Sequence, residues 1–413
     1  MTSVHPRESA AARDAADPLR GFREHFAIAE EDLVYLDGNS LGPLPTRTAA
    51  HLQHVVTQEW GQGLIRSWND AGWFDKPRTL GDRIGRLVGA GPGQVVVCDS
   101  TSVNVFKALT AALGLRPGRD VVVGDRDNFP TDLYMMQGAT AGTHSHRLIS
   151  AEGPSLADVL DEEVAAVVLT HVDYRTGRMY DMAAVTAQVQ AAGALMIWDL
   201  CHSAGALPID LDGCGADFAV GCTYKYLNGG PGAPAFLFVA EALQAELRSP
   251  IWGWFAQTEQ FAMDRAYEPV AGIGRFLAGT PPILQLAAVE EGVTLTAEAG
   301  IDRIRDKSVA LTELIVALHD AWLAPLGFTL GTPREPSLRG SHVSLRHPDA
   351  WPITRALAAA GVTPDFRGPD SIRLGVAPLY TRFADVFDAL DRLRGIVERG
   401  DHERVEAAPA RVT

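Results

Sequence analysis

Short runs of apolar, mostly β-branched residues recur between about residues 90 and 240. They are VVVC (95–98), DVVVG (120–124), AAVVLTHV (165–172), ALMIW (194–198), FAVGC (218–222) and AFLFV (235–239). Because they are apolar throughout rather than at every second position, each is expected to bury both faces. Between them lie stretches of helical period such as VNVFKALTAALGL (103–115) and MAAVTAQVQAAG (182–193). That alternation predicts a largely parallel sheet flanked by helices. A Gly- and Pro-rich loop alone joins the last two runs, which fits a hairpin there.

The texture changes from about residue 281. Two long helical segments (283–300 and 301–323) precede strand candidates HVSLRH (342–347) and SIRLGVAP (371–378), and a helix over 382–400 follows. The expected fold is α/β: a large domain over 21–280 built on a mostly parallel sheet, and a smaller α+β unit over 281–413 that closes over a cleft. Residues 1–20 read as a mobile polar arm that orders only against a partner surface. No flexible linker separates the two units, so a broad shared interface is expected.

Composition narrows the function classes. A chain of 413 residues carries a net charge of -15, which disfavours nucleic acid and anionic membrane surfaces as partners. Cys98, Cys201, Cys214 and Cys222 form no C-x-x-C pair and no metal-type spacing, so they read as small buried thiols in a reducing compartment. The first residues lack a signal-type apolar stretch, and no uninterrupted apolar run is long enough to span a bilayer. A cytoplasmic protein is expected.

In a wound α/β sheet, ligands collect at the carboxyl ends of the strands. The first run ends in Asp99-Ser100-Thr101-Ser102 and opens a helix; such a turn either caps the helix or cradles a phosphate. The run 194–198 leads into Asp199 with His202 close behind, a pair too poor in further ligands for a metal site. The run 218–222 leads into Thr223-Tyr224-Lys225 and a glycine-rich loop. A lysine there is either a surface residue or a poorly solvated amine, and poor solvation favours the neutral nucleophile. An anion cradle, a carboxylate for a ring nitrogen and an amine for an aldehyde are together what pyridoxal phosphate requires.

Order and spacing resemble fold-type I pyridoxal-phosphate enzymes of the class-V aminotransferase kind, and the motifs resemble kynureninases in particular. The resemblance is carried by YLDGNSLGPLP (35–45), IRSWNDAGWF (65–74), NFPTDLYM (128–135), WDLCHSAGALPIDL (198–211), CTYKYLNGGPGAPAF (222–236), AGTPPIL (278–284) and SIRLGVAPLYT (371–381), and spans nearly the whole chain. It implies hydrolytic cleavage of the Cβ–Cγ bond of kynurenine or 3-hydroxykynurenine, a step of tryptophan degradation, with pyridoxal 5'-phosphate held as a Schiff base on Lys225. It also implies roles for other residues. Thr101 and Ser102 would hold the phosphate, Phe129 would stack on the ring, and Asp132, Thr170 and His202 would surround it. Asp199 would pair the ring nitrogen, and Tyr224 would reach the phosphate and move a proton. Arg373 would grip the substrate carboxylate at two points, and Trp68, or alternatively Trp60 or Trp73, would meet the substrate's aromatic ring. The resemblance further implies a homodimer in which Trp254 and Thr280 reach the other subunit's site. An aromatic-rich connecting stretch with no local cover gives the same expectation. The rival readings are a cysteine desulfurase-like lyase, an aminotransferase of the same fold, and a non-catalytic cofactor sensor.

Overall fold

The computed structural model describes residues 7–28 and 32–405. A helix at Arg7–Ala16 and a short strand β1 (Val34–Tyr35) come first. The large sheet follows: β2 (Val95–Val97), β3 (Val121–Asp125), β4 (Ser145–Ile149), β5 (Val164–Thr170), β6 (Leu195–Asp199), β7 (Phe218–Gly221) and β8 (Phe236–Val239). Their order across the sheet is β2-β8-β7-β6-β5-β3-β4. β7, β6, β5, β3 and β4 run parallel, while β8 is antiparallel to both β7 and β2. The expected hairpin is therefore β7–β8. β2, β3, β5, β6 and β7 all point their carboxyl ends at one edge.

Both faces of the sheet are covered, as the unbroken apolar runs require. Val95, Val97, Leu169, Met196 and Trp198 face one core with Leu80, Ile84, Leu286 and Val289. Val96, Val168, Ile197 and Val220 face the other, with Val105, Leu109 and Phe276. Adjacent residues of one strand thus enter opposite cores, so each register is fixed from two sides. Strand β4 carries no apolar run (SHRLI) and sits at the sheet edge, half exposed, which is why hydrophobic patterning passes over it.

The smaller unit holds a four-stranded antiparallel sheet of β9 (Thr329–Leu330), β10 (His342–Arg346), β12 (Asp365–Arg367) and β13 (Ser371–Gly375), in the order β12-β13-β10-β9. β11 (Val362–Thr363) pairs instead with β1. Helices Ile283–Ala299, Ile301–Leu318 and Phe383–Glu398 have the expected bounds, but the first packs Leu286, Val289 and Val293 against the large sheet, so the smaller unit begins after that helix and not at 281. By length and composition the helical run Ile301–Leu326 could cross a membrane, although Glu313 and Asp320 break its apolar sequence. Its Leu311, Leu314, Ile315 and Leu318 instead form the core of the smaller unit.

The arm and the first boundary need correction. Residues 1–6 lie outside the described residues, but 7–16 form a helix fixed on the smaller unit of the same chain. Asp14 accepts from the N–H groups of Phe383 (2.7 Å) and Ala384 (3.0 Å), capping the last long helix, and Arg7 meets Asp388 at 2.7 Å. Asp17 and Lys307 make a buried ion pair at 2.6 Å. This attachment is polar and long-range in sequence, so periodicity gives no sign of it. With β1 on β11, Val34–Tyr35 also joins the smaller unit, while Leu19 and Phe26 pack where both units meet, with Val172, Ala206, Leu207 and Tyr380.

Candidate active site

A cavity of about 280 Å³ lies between the strand ends and the smaller unit. It is lined by Thr101, Ser102, Phe129, Asp132, Thr170, Asp199, His202, Tyr224, Lys225 and Arg373, the ten sequence candidates that fall at strand ends or on β13. Asn39, Ser40, Thr131, Tyr174, Cys201 and Arg367 complete the wall. Asn39 and Ser40 lie within the YLDGNSLG motif and Tyr174 within VDYRTGRMYD (172–181), which resembles the same family, signals that could have named them; nothing in the sequence marks Arg367.

At one end of the cavity is the N-terminus of helix Thr101–Gly114. Ser100 is its cap, its hydroxyl accepting from Val103 N–H at 3.4 Å. The first-turn N–H groups of Thr101 and Ser102 have no partner inside the helix and sit at its positive end, which suits a phosphate. Thr101 and Ser102, with Tyr224, also border a second cavity of about 430 Å³ that runs to Pro282 and Gln285.

Two carboxylates stand together at the floor. Asp199 ends β6, and its Oδ1 accepts from Cys201 N–H at 2.7 Å. Asp132 comes from helix Pro130–Ala139; burial and the charge of Asp199 push its acid well above the usual carboxylate range. Asn128 donates to Asp132 Oδ2 at 3.0 Å, and the Thr170 hydroxyl bonds Asn128 and reaches the same oxygen at 3.5 Å. A protonated ring nitrogen placed against this pair would relieve their repulsion. The Phe129 ring is 45% exposed and edge-on to Tyr174 at 5.3 Å, so it is not ordinary core packing and leaves a face for a flat ring.

Lys225 follows β7. The chain has four lysines. Lys76 is paired with Glu290 (2.6 Å), Lys107 with Asp99, and Lys307 with Asp17 (2.6 Å). Among the described residues Lys225 alone makes no ion pair; its Nζ lies 3.3 Å from His202 Nε2. Burial and the nearby Lys225 charge hold His202 well below the usual imidazole range, so the ring is neutral and accepts from the amine. The N-terminal segment crosses the lysine loop at Gly42, whose N–H donates to Tyr224 O at 2.8 Å. A Cβ at Gly42 would lie 2.5 Å from Lys225 O and 2.3 Å from Asn228 Oδ1, so only glycine lets the two segments meet.

At the opposite end Arg373, 1% exposed, is engaged on almost every side. Nη1 donates to Tyr174 O at 2.7 Å, and Nη2 to Ser40 Oγ at 2.9 Å and to Asp365. In the amide orientation that satisfies both partners, Asn39 O takes Nε at 2.8 Å. One Nη1 hydrogen remains, so in this conformation Arg373 offers a carboxylate one point rather than the two expected.

Three candidates lie outside the cavity of their own chain. Trp68 packs in an aromatic cluster, its ring 5.6 Å from Trp73, 6.0 Å from Phe74 and 5.9 Å from Phe255. Trp254 is exposed, and its Nε1 donates to Gln260 O at 2.8 Å. Thr280 is exposed in the loop before helix Ile283–Ala299.

Comparisons with known proteins give the family and the fold. Residues 34–321 match the aminotransferase class-V family, and residues 304–393 match the kynureninase C-terminal domain. A kynureninase of Burkholderia pseudomallei is 50% identical over 398 residues, 95% of each chain. One from Pseudomonas fluorescens is 48% identical over 399 residues, 95% of this chain and 96% of that one. Among solved structures, the apo cysteine desulfurase of Thermococcus onnurineus superposes with a TM-score of 0.78 at 18% identity, covering 92% of this chain and 98% of the other, a likeness of fold. With about half of its residues shared with those relatives over nearly their full length, and a site that fits the cofactor, the chain belongs to the kynureninase family of pyridoxal-phosphate enzymes.

Proposed function

We propose that the protein hydrolyses the Cβ–Cγ bond of L-kynurenine, 3-hydroxy-L-kynurenine or both, releasing L-alanine and anthranilate or 3-hydroxyanthranilate. The observation that carries the site assignment is the Lys225 amine, held by His202 and free of any ion pair, lining one cavity with Asp132, Asp199 and Arg373. Pyridoxal phosphate, when bound, supplies an aldehyde for the substrate amine and a ring that accepts electrons. Thr101 and Ser102 hold its phosphate, Phe129 covers a ring face, and Asp199 keeps the ring nitrogen protonated, with Asp132, Thr170 and His202 around it. Lys225, once released, takes the Cα proton. Burial raises the Tyr224 phenol, so at neutral pH its hydroxyl stays protonated and can donate near the aryl ketone. Arg373 orients the substrate carboxylate.

A homodimer that shares its sites is part of this proposal. Trp60, Ile65, Trp252, Trp254, Phe261 and Met263 are all exposed, an apolar surface that a second copy would cover. Trp254 and Thr280 would then enter the partner's site, and Trp68 would line the aryl pocket only in that assembly. A reducing, cytoplasmic setting accords with four free thiols, three of them buried. Their burial also counts against a desulfurase, which needs an exposed, mobile cysteine. Incubation with cofactor and each kynurenine should give the fluorescent aminobenzoate and equimolar alanine. If neither forms while an added keto acid is aminated, the aminotransferase reading replaces this one.

A further inference from the structure

Arg373 is not the only guanidinium at its end of the cleft. Arg367, on the neighbouring strand β12, also lines the cavity. Its side chain is 33% exposed, and Nη1 meets Asp365 Oδ1 at 3.0 Å and Phe366 O at 3.2 Å. Its Nε is buried without a partner. Asp365 thus sits between the two arginines, one oxygen toward each. Arg373 keeps a single N–H for an incoming anion, whereas Arg367 keeps a larger unused part of its fork. Two cations bridged by one internal carboxylate form a site with room for a second carboxylate.

We propose that Arg367 is a specificity-determining residue that binds the substrate's α-carboxylate together with the remaining N–H of Arg373, while Asp365 holds the two guanidiniums at the spacing this requires. The inference rests on the reading of the Arg373 end as the carboxylate end. It would make Arg367 a source of preference for α-amino acids over amines lacking the carboxylate.

The test titrates the holoenzyme with L-alanine and with ethylamine, which is alanine without its carboxylate, following the visible absorbance of the bound cofactor. Arg367→Gln should weaken L-alanine by roughly 10- to 100-fold and leave ethylamine within about twofold. Arg367→Lys should fall between, since an ammonium keeps the charge but not the fork. Should Arg367→Gln misfold by melting temperature, Arg367→Lys carries the comparison alone. Equal weakening of both ligands, or an unchanged ratio in the Arg367 variants while Arg373→Lys lowers it, would overturn the role of Arg367. An unchanged ratio in all the variants, Arg373→Lys included, would overturn the carboxylate-end reading itself, and this inference with it.

Discussion

The floor of the cleft and the exposed rim of Trp254 and Thr280, which lies outside that cavity, are built on different terms. At the floor, Asp199 and Lys225 come from different strands of one sheet, yet each falls into place because its strand is locked from two cores. At the rim, Trp254 on a single helical turn and Thr280 on a loop are exposed and do not line the cavity of their own chain. The first region needs one chain to be a site. The second, on the proposal above, is completed by a second copy. In the proposed dimer, the cofactor site is specified by one fold while the substrate pocket waits on assembly.

The largest expected effect tests the floor. Lys225→Ala should reduce turnover to background yet still bind cofactor, because the helix N-terminus and Asp199 remain. Borohydride reduction and peptide mapping of the parent should find the pyridoxyl group on Lys225. Finding it on Lys107 would contradict the assignment, since Lys107 is fully buried and bonds both Asp99 and Phe276 O.

Asp199→Ala should come next, at about 10²- to 10³-fold in kcat, the size expected when a charge partner at the reacting centre is lost. Asp199→Glu should recover part of it. Near-normal rates in the alanine variant would mean that Asp199 serves only to cap the turn at Cys201.

How much of this was legible follows the same division. Strand ends were readable because an apolar run fixes where a strand stops, and the polar residue after it must then face the edge. The lysine loop, the phosphate turn and Asp199 were found on that ground. Phe129 was found only by resemblance, because core packing and stacking leave the same trace in sequence. Arg373 was placed correctly on β13, but its occupied fork depends on Tyr174, Asn39, Ser40 and Asp365, which are far apart in the chain. The helix Arg7–Ala16 reads as an arm because its anchors, Asp14 on the last helix and Arg7 on Asp388, are polar and far away in the chain.

A smaller effect, read by pH, tests the burial of histidines in and near the strand ends that carry the floor. Burial lowers His171 from 6.5 to about 4, and pushes His202 and His342 down as well. The unfolded chain takes up these protons first as pH falls, so stability is full above about 6.5 and declines toward pH 4. Urea midpoints at pH 7 and pH 5 should show the drop, and His171→Gln should flatten it. Equal midpoints in the parent would mean that these rings protonate in place.

The most direct test of the divided site mixes two inactive variants, Lys225→Ala and Thr280→Arg, under conditions that exchange subunits. If one chain supplies the floor and its partner the rim, each heterodimer holds one intact site, with Lys225 from one chain and Thr280 from the other. Activity should return to about a quarter of the parent's at equal mixing, from random pairing of two-fold dimers. No recovery, after exchange is verified by mass labelling, would place Lys225 and Thr280 in the same chain's site and contradict the account.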